Sequence, residues 1–200
     1  NGLPDDLRVF DFSFQIIPQN FEVTINNVKP ASRTERTRSI LEGSLNTADV
    51  ADAPEVERAL KVFQNGKELA ATWTHVDDGR VHQFVVENVV RGETDGKVDI
   101  QVNGKILGVD REQSVQVDIP RSDEFKLMNV RVVHAPNQHV VLQFSDLVKE
   151  RQDLKGLITI SDLSSLDFDV HDNEVRVYPP VAQNGRRTLI VSNGIRNAND

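Results

Sequence analysis

Cysteine is absent from the 200 residues of this chain. Its absence excludes thiol nucleophiles, disulfide bonds and every metal site that needs a thiolate, although exported proteins can fold without disulfides. Long apolar runs are also missing, since no hydrophobic segment approaches the roughly 20 residues of a membrane-spanning helix. Basic charge is scarce: 23 Lys and Arg stand against 31 Asp and Glu, and the net charge of −8 repels nucleic acid and anionic lipid. We therefore expect no nucleic-acid partner and no membrane contact by this fragment.

Recognisable catalytic and metal-binding motifs are missing as well. There is no Gly-x-Ser-x-Gly elbow, no glycine-rich phosphate loop, and no histidine pair at the i, i+4 spacing of a zinc helix. His134 and His139 can approach across a turn, and the acidic string from Asp167 to Glu174 contains oxygen ligands that suit calcium. Alternation, however, places Asp167 and Asp169 on a solvent face, before a hairpin loop. We predict no catalytic, cofactor-binding or metal-binding residues and no enzymatic activity, although 31 acids leave a carboxylate-based hydrolase open as an alternative.

The abundant signal is an alternation of apolar and polar residues with a period of two, which is typical of half-buried strands. Its clearest examples are Phe10 to Ile16, Phe21 to Ile25, Val98 to Val102, Val115 to Ile119, Leu166 to Val170 and Val175 to Tyr178. Less regular candidates are Arg38 to Leu45, Val81 to Glu87, His139 to Phe144 and Thr188 to Val191. Dipeptides that favour tight turns lie between them, namely Asn65-Gly66, Asp78-Gly79, Asp95-Gly96, Asn103-Gly104 and Asn184-Gly185. The pattern predicts an all-β chain built from antiparallel β-sandwiches.

Helix signals are few. Asp52, Pro54 and Glu55 form an N-terminal capping pattern that predicts at most about two helical turns. Two alternatives are a strand through Leu60 into the Asn65-Gly66 turn, or a short helix followed by that strand. A further helical turn is possible before Gly156, and Trp73, the single tryptophan, is expected in a core.

A domain boundary is predicted near Pro120. Proline cannot extend the ladder of a central strand, and the polar residues Arg121 to Glu124 follow it before a new alternating run starts at Phe125. We predict a first domain over residues 1–120 and a second over 121–200, each large enough for a seven-strand sandwich. So short a connector restricts the angle between them.

The succession of framework segments resembles the N-terminal region of the bacterial alpha-2-macroglobulin family, especially the large proteins of Bacteroides-type bacteria. In the second half, the resemblance rests on Phe125 to Val133, Val140 to Asp146 with its Phe-Ser-Asp ending, Asp153 to Ile160, Val175 to Pro179 and Thr188 to Asn197. In the first half, it rests on Leu41 to Thr47, Val56 to Leu69, Thr72 to His75, His82 to Phe84, Val90 to Gly92 and Val117 to Pro120.

The resemblance implies macroglobulin-like sandwiches that form part of the scaffold of an exported protease inhibitor. The family's trapping members use a Cys-x-x-Glu-Gln thioester, which a chain without cysteine cannot form. We expect a piece of a longer protein that is periplasmic or on the cell surface and lipid-anchored near its N-terminus. Its expected partners are downstream domains of the same chain and, through the full-length protein, proteases. The alternative is a generic Ig-like spacer or adhesion module of a cell-surface or glycan-processing protein.

Overall fold

The computed structural model describes residues 18–199, so the alternating segment Phe10 to Ile16 lies outside the described residues. The chain is all-β, with one short α-helix among those residues. Its first half contains β1 Phe21–Pro30, β2 Arg38–Thr47, α1 Ala53–Ala59, β3 Leu60–Gln64, β4 Lys67–Leu69, β5 Thr72–Val76, β6 Val81–Val90, β7 Gly96–Asn103 and β8 Glu112–Ile119.

These strands form two four-stranded antiparallel sheets, ordered β1-β2-β6-β5 and β4-β3-β7-β8. That order is the one in which immunoglobulin domains divide their strands between two sheets, with β4 as an additional edge strand. The alternating apolar residues of both sheets meet in one core, which includes the fully buried Leu41, Phe84 and Ile100. Trp73 packs against this core while half-buried, with its ring 5.3 Å from that of Phe84.

The second half forms a smaller sandwich. Its strands are β9 Leu127–Val133, β10 His139–Phe144, β11 Ile158–Ile160, β12 Asp167–His171, β13 Glu174–Tyr178 and β14 Leu189–Val191. One sheet has the order β12-β13-β10-β9, and the facing sheet contains β11 and β14. Leu142, Ile158 and Val175 lie in its core, which has no residue in common with the first core. The sheet patterns place two Ig-like sandwiches in tandem, and the second has six strands among residues 18–199.

The capping pattern at Asp52 does begin a helix, and α1 has two turns because Leu60 is already extended and starts β3. The short helix followed by a strand is therefore the correct alternative. The helical turn expected before Gly156 is not a helix: a tight turn from Leu154 to Leu157 stands there, with Gly156 at φ +80°. The carbonyl oxygen of Leu154 accepts hydrogen bonds from the backbone N–H groups of Leu157 and Ile158, but Ile158 already starts β11, so the turn does not continue as a helix.

Three of the five turn dipeptides have the expected positive φ at glycine, namely Asn65-Gly66, Asp78-Gly79 and Asn184-Gly185. Gly96 instead starts β7. Gly104 is required by close packing, because a Cβ on it would lie 2.2 Å from the carbonyl oxygen of Arg111 and 2.6 Å from the Phe21 ring.

Candidate functional site: a polar junction between the sandwiches

The contacts between the two sandwiches start from a β-bulge in β1. The register between β1 and β2 shifts between Ile25 and Asn27, so Asn26 has no partner residue on β2. The freed carbonyl of Asn26 accepts a hydrogen bond of 2.6 Å from the Nε2 of Gln143 on β10. A local irregularity in one sandwich thus supplies an acceptor to the other.

Two asparagine side chains pair across the junction. The Nδ2 of Asn27 donates to the Oδ1 of Asn173 at 3.1 Å, and the Nδ2 of Asn173 lies 3.0 Å from the Oδ1 of Asn27. Asn173 is fully buried, and its Nδ2 also lies within hydrogen-bond distance of the carbonyl oxygens of Val28 and Phe144. A buried amide with partners on both sandwiches favours one relative position, because any displacement leaves polar groups unpaired.

A buried charge cluster lies beside the asparagines. Asp146, which follows β10, accepts hydrogen bonds at its Oδ2 from Arg36 at 2.9 Å, and the Nη1 of Arg91 lies 3.6 Å from the same oxygen. Arg91 and Asp146 are 1% and 2% exposed, so water screens their attraction weakly. Burial lowers the pKa of Arg91, and the Asp146 carboxylate opposes that shift. One carboxylate therefore links two arginines of the first sandwich to the second.

Arg91 also fixes the connector between the sandwiches. Its Nε donates to the carbonyl oxygen of Pro120 at 3.0 Å, and its Nη2 donates to that of Glu124 at 2.8 Å. The hydroxyl of Ser145 donates to the same Glu124 carbonyl oxygen. The connector is consequently bound on both sides, which restricts the angle between the sandwiches. The domain division at Pro120 stays a prediction.

The Phe-Ser-Asp ending of β10 and the Val-Arg-Gly segment after β6 thus contain the junction residues Ser145, Asp146 and Arg91. In the sequence, these residues were recognisable only as framework residues. Their pairing joins positions far apart in the chain, so no local spacing reveals it. The one available signal was their place directly after the ends of strands.

The residues that the sequence suggested as metal ligands do not lie close together. Among residues 18–199, no group of three or more His, Asp or Glu side chains is close enough to bind a metal ion. His139 instead lies against the ring of Tyr178 at 4.9 Å, with its Nδ1 2.8 Å from the carbonyl oxygen of Asn137. Asp167 and Asp169 are exposed on β12, and Asp172 with φ +53° forms the predicted hairpin turn.

Over the same residues, no helix has the length and apolarity that crossing a membrane requires.

A histidine pair that the sequence analysis missed connects β5 and β6. His75 and His82 are direct cross-strand neighbours with their Nδ1 atoms 2.8 Å apart. The Nε2 of His75 lies 3.2 Å from the Oε1 of Glu57, and His75 stacks on Trp73. His82 is fully buried, and burial together with the charge of His75 lowers the pKa of His82, while a backbone contact of Gly79 acts against that shift. The Asp78-Gly79 turn was the available signal, since it brings the flanking histidines opposite each other.

We expect this pair to make the protein less stable in mild acid. In the unfolded chain, His82 takes up a proton near its ordinary pKa of about 6.5, whereas in the folded protein the lowered pKa keeps it neutral at that pH. The stability that neutral His82 contributes is therefore complete above about pH 6.5 and is lost as the pH falls below it. Thermal unfolding between pH 7.5 and 5.5 measures the effect. The change in melting temperature with pH should become smaller in His82→Phe, whereas in His171→Gln, a substitution on the exposed end of β12, it should be unchanged. Equal pH dependence in His82→Phe and the parent would contradict the assignment.

Comparison with known proteins finds no family model and no curated protein that matches this chain. Among solved structures, it is similar to the "Tandem Ig repeats of Dlar", with a TM-score of 0.31 and 12% identity over 81% of this chain and 82% of that chain. It is also similar to "Titin Ig tandem domains A164-A165", with a TM-score of 0.29 and 11% identity over 86% of this chain and 97% of that one. Both are tandem Ig structures, and at these TM-scores the Ig-like assignment of this chain rests on its own strand order.

Proposed function

We propose that this chain is a non-catalytic scaffold that keeps two Ig-like sandwiches at a fixed angle. The observation that supports this most directly is the buried cluster of Arg36, Arg91 and Asp146, together with the Asn27 and Asn173 pair. Flexible tandem modules have junctions that water can enter, whereas here Arg91 and Asp146 are 1% and 2% exposed and Asp146 pairs with arginines of the first sandwich. These residues therefore hold the two sandwiches at a fixed distance and angle from each other.

The finer proposal is that the parent protein is an exported bacterial alpha-2-macroglobulin-like protease inhibitor. It is supported by the resemblance of the framework segments and by their correspondence with junction residues, such as Ser145 and Asp146 at the end of β10. In this proposal the fragment is periplasmic or on the cell surface, the lipid anchor lies elsewhere in the parent, and downstream domains of the same chain capture the protease. The second candidate is a generic Ig-like spacer or adhesion module, favoured by the tandem sandwiches themselves.

The test incubates the fragment separately with a serine, a cysteine and a metalloprotease and measures the remaining activity on a large and a small substrate. We expect both activities to be retained and no covalent adduct on a denaturing gel, since the chain has no cysteine for an acyl transfer. Selective loss of the activity on the large substrate would mean that this piece traps proteases by itself and would refute the scaffold role. The length of the parent gene and its downstream sequence then distinguish the two candidates: a Cys-x-x-Glu-Gln motif downstream supports the inhibitor, and its absence supports the spacer.

A further inference from the structure

A surface cavity of about 430 Å³ lies in the second sandwich between two irregular segments of the chain. One segment follows β10 and contributes residues between Lys149 and Asp153 to the lining. The other follows β14 and contributes Gly194 and Arg196. The volume is within the range of small-molecule sites in proteins.

The side-chain amide of Gln152 joins the two segments. Its Nε2 donates to the carbonyl oxygen of Lys149 at 2.8 Å and to that of Arg196 at 3.1 Å. Its Oε1 accepts a hydrogen bond of 2.9 Å from the backbone N–H of Arg196. The backbone N–H of Lys149 donates to the same Arg196 carbonyl oxygen at 3.0 Å. The walls of the cavity are thus held by hydrogen bonds, and a ligand does not have to order them when it binds.

Gly194 brings the second segment close to Leu157, which also lines the cavity. Its φ is +146°, and a Cβ at this position would lie 2.9 Å from the Cδ2 of Leu157. Glycine permits this close approach because it has no side chain. The backbone N–H of Ser192 also donates to the carbonyl oxygen of Leu157 at 2.8 Å, so the segment that carries Arg196 is fixed at both ends.

Two arginines line the cavity without an acidic partner. Arg151 and Arg196 are exposed, and among residues 18–199 no carboxylate forms an ion pair with either guanidinium. By contrast, Arg176 on β13 lies 3.5 Å from a carboxylate oxygen of Glu174. The two arginines have the same charge and stand on adjacent segments, so they repel each other, and an anion bound between them removes that repulsion.

Asp153 is the one acid that lines the cavity among the described residues. Its Oδ1 accepts a hydrogen bond of 3.0 Å from the backbone N–H of Lys155, which fixes the turn before β11. Its charge opposes the binding of an anion but does not balance both arginines. Since the whole chain has a net charge of −8, a lining that stays basic is a local feature and not a consequence of composition.

We propose that this cavity binds the phosphate group of a small soluble phosphate monoester, with Arg151 and Arg196 as its donors. Guanidinium groups donate paired N–H groups to phosphate oxygens, and the charge of the dianion matches that of the two arginines. Gln152 is a positioning residue, because it holds the segments that carry the arginines. The proposal goes beyond the scaffold role and does not depend on the protease-inhibitor assignment.

The test titrates the full chain with glycerol 2-phosphate and, separately, with methyl sulfate, which has a single negative charge. Both titrations are done at pH 7.5 and constant ionic strength, and binding is followed by backbone NMR shifts. We expect saturable shifts confined to residues 149–157 and 192–198. The phosphate ester should bind about tenfold more tightly than the sulfate ester, because its second charge interacts with the second arginine.

Substitutions in the lining should change the affinity in opposite directions. Arg151→Gln and Arg196→Gln should each weaken binding of glycerol 2-phosphate about tenfold, the ratio expected for the loss of one charge-assisted hydrogen bond. Asp153→Asn should strengthen it about threefold, because it removes a repelling charge and keeps an acceptor for the Lys155 N–H. The matched control is Arg186→Gln, since Arg186 is exposed between β13 and β14 and does not line the cavity.

Four outcomes would overturn the proposal. The first three are no saturable shift with glycerol 2-phosphate, equal affinity for methyl sulfate, and equal loss of binding in Arg186→Gln and Arg151→Gln. The fourth is binding to vesicles that contain phosphatidic acid without binding to glycerol 2-phosphate, which would mean that the cavity recognises a lipid headgroup and not a soluble ester. The melting temperature of each variant without ligand shows that the fold is intact, as expected for exposed side chains.

Discussion

Replacing Asp146 by asparagine is expected to lower the free energy of unfolding by about 3–5 kcal/mol, the usual cost of removing one partner of a buried ion pair. Asparagine preserves the acceptor for the backbone N–H of Leu147 but removes the charge that faces Arg36 and Arg91. The guanidinium of Arg91 then stays buried without the carboxylate that acts on it most strongly. Because these arginines belong to the first sandwich, the loss of the Asp146 charge should also allow the two sandwiches to unfold separately.

The composition of the chain provides separate probes for that uncoupling. The single tryptophan, Trp73, lies in the first sandwich and the single tyrosine, Tyr178, in the second. Tryptophan fluorescence and the NMR signal of fluorotyrosine should show one common unfolding midpoint in the parent and two midpoints in Asp146→Asn. The control is Glu150→Gln, which removes the exposed pair with Arg33 and should cost less than about 1 kcal/mol. Equal costs in both variants would show that the buried cluster does not couple the sandwiches.

Much of the fold was predictable because half-buried strands leave a period of two in the sequence. The alternation at Val98 to Val102 and Val115 to Ile119 corresponds to β7 and β8, whose inner faces cover one core. The three-residue strands β4 and β11 were missed, since three residues are too few to define a period, and the equally short β14 was predicted only as part of the less regular segment Thr188 to Val191. Their positions are decided by pairing with β3 and β14 rather than by their own residues.

The junction was less predictable, for a different reason. Asp146 and Arg36 are 110 positions apart, and each alone is an ordinary charged residue at the end of a strand or in a loop. Only the relative placement of two folded sandwiches makes their contact buried. The pairing of His75 with His82 was also missed, although it is local: the register of the one hairpin that contains both histidines would have placed them opposite each other.

The second large effect is expected in the first core. Phe84 is fully buried, pairs directly with Gly43 on β2, and lies 5.3 Å from Trp73. Phe84→Ala should destabilise the protein by about 3–5 kcal/mol, because the vacated volume has no side chain at Gly43 to fill it. The tryptophan midpoint measures the loss, and in the Asp146→Asn background the fluorotyrosine midpoint should stay unchanged, since the two cores share no residue.

The effect of Gly43→Ala on stability provides the control, because it should change sign when the Phe84 ring is removed. A Cβ at Gly43 would lie 2.3 Å from the Cζ of Phe84, so Gly43→Ala alone should cost about 1–3 kcal/mol by overpacking. In the Phe84→Ala background the same methyl enters empty space, and the double variant should be more stable than Phe84→Ala alone. Additive losses from Gly43→Ala and Phe84→Ala would mean that the ring does not occupy the space above Gly43.

A fluorotyrosine midpoint that falls with the tryptophan midpoint in the uncoupled background would mean that one continuous core crosses Pro120, which would refute the predicted division into two domains.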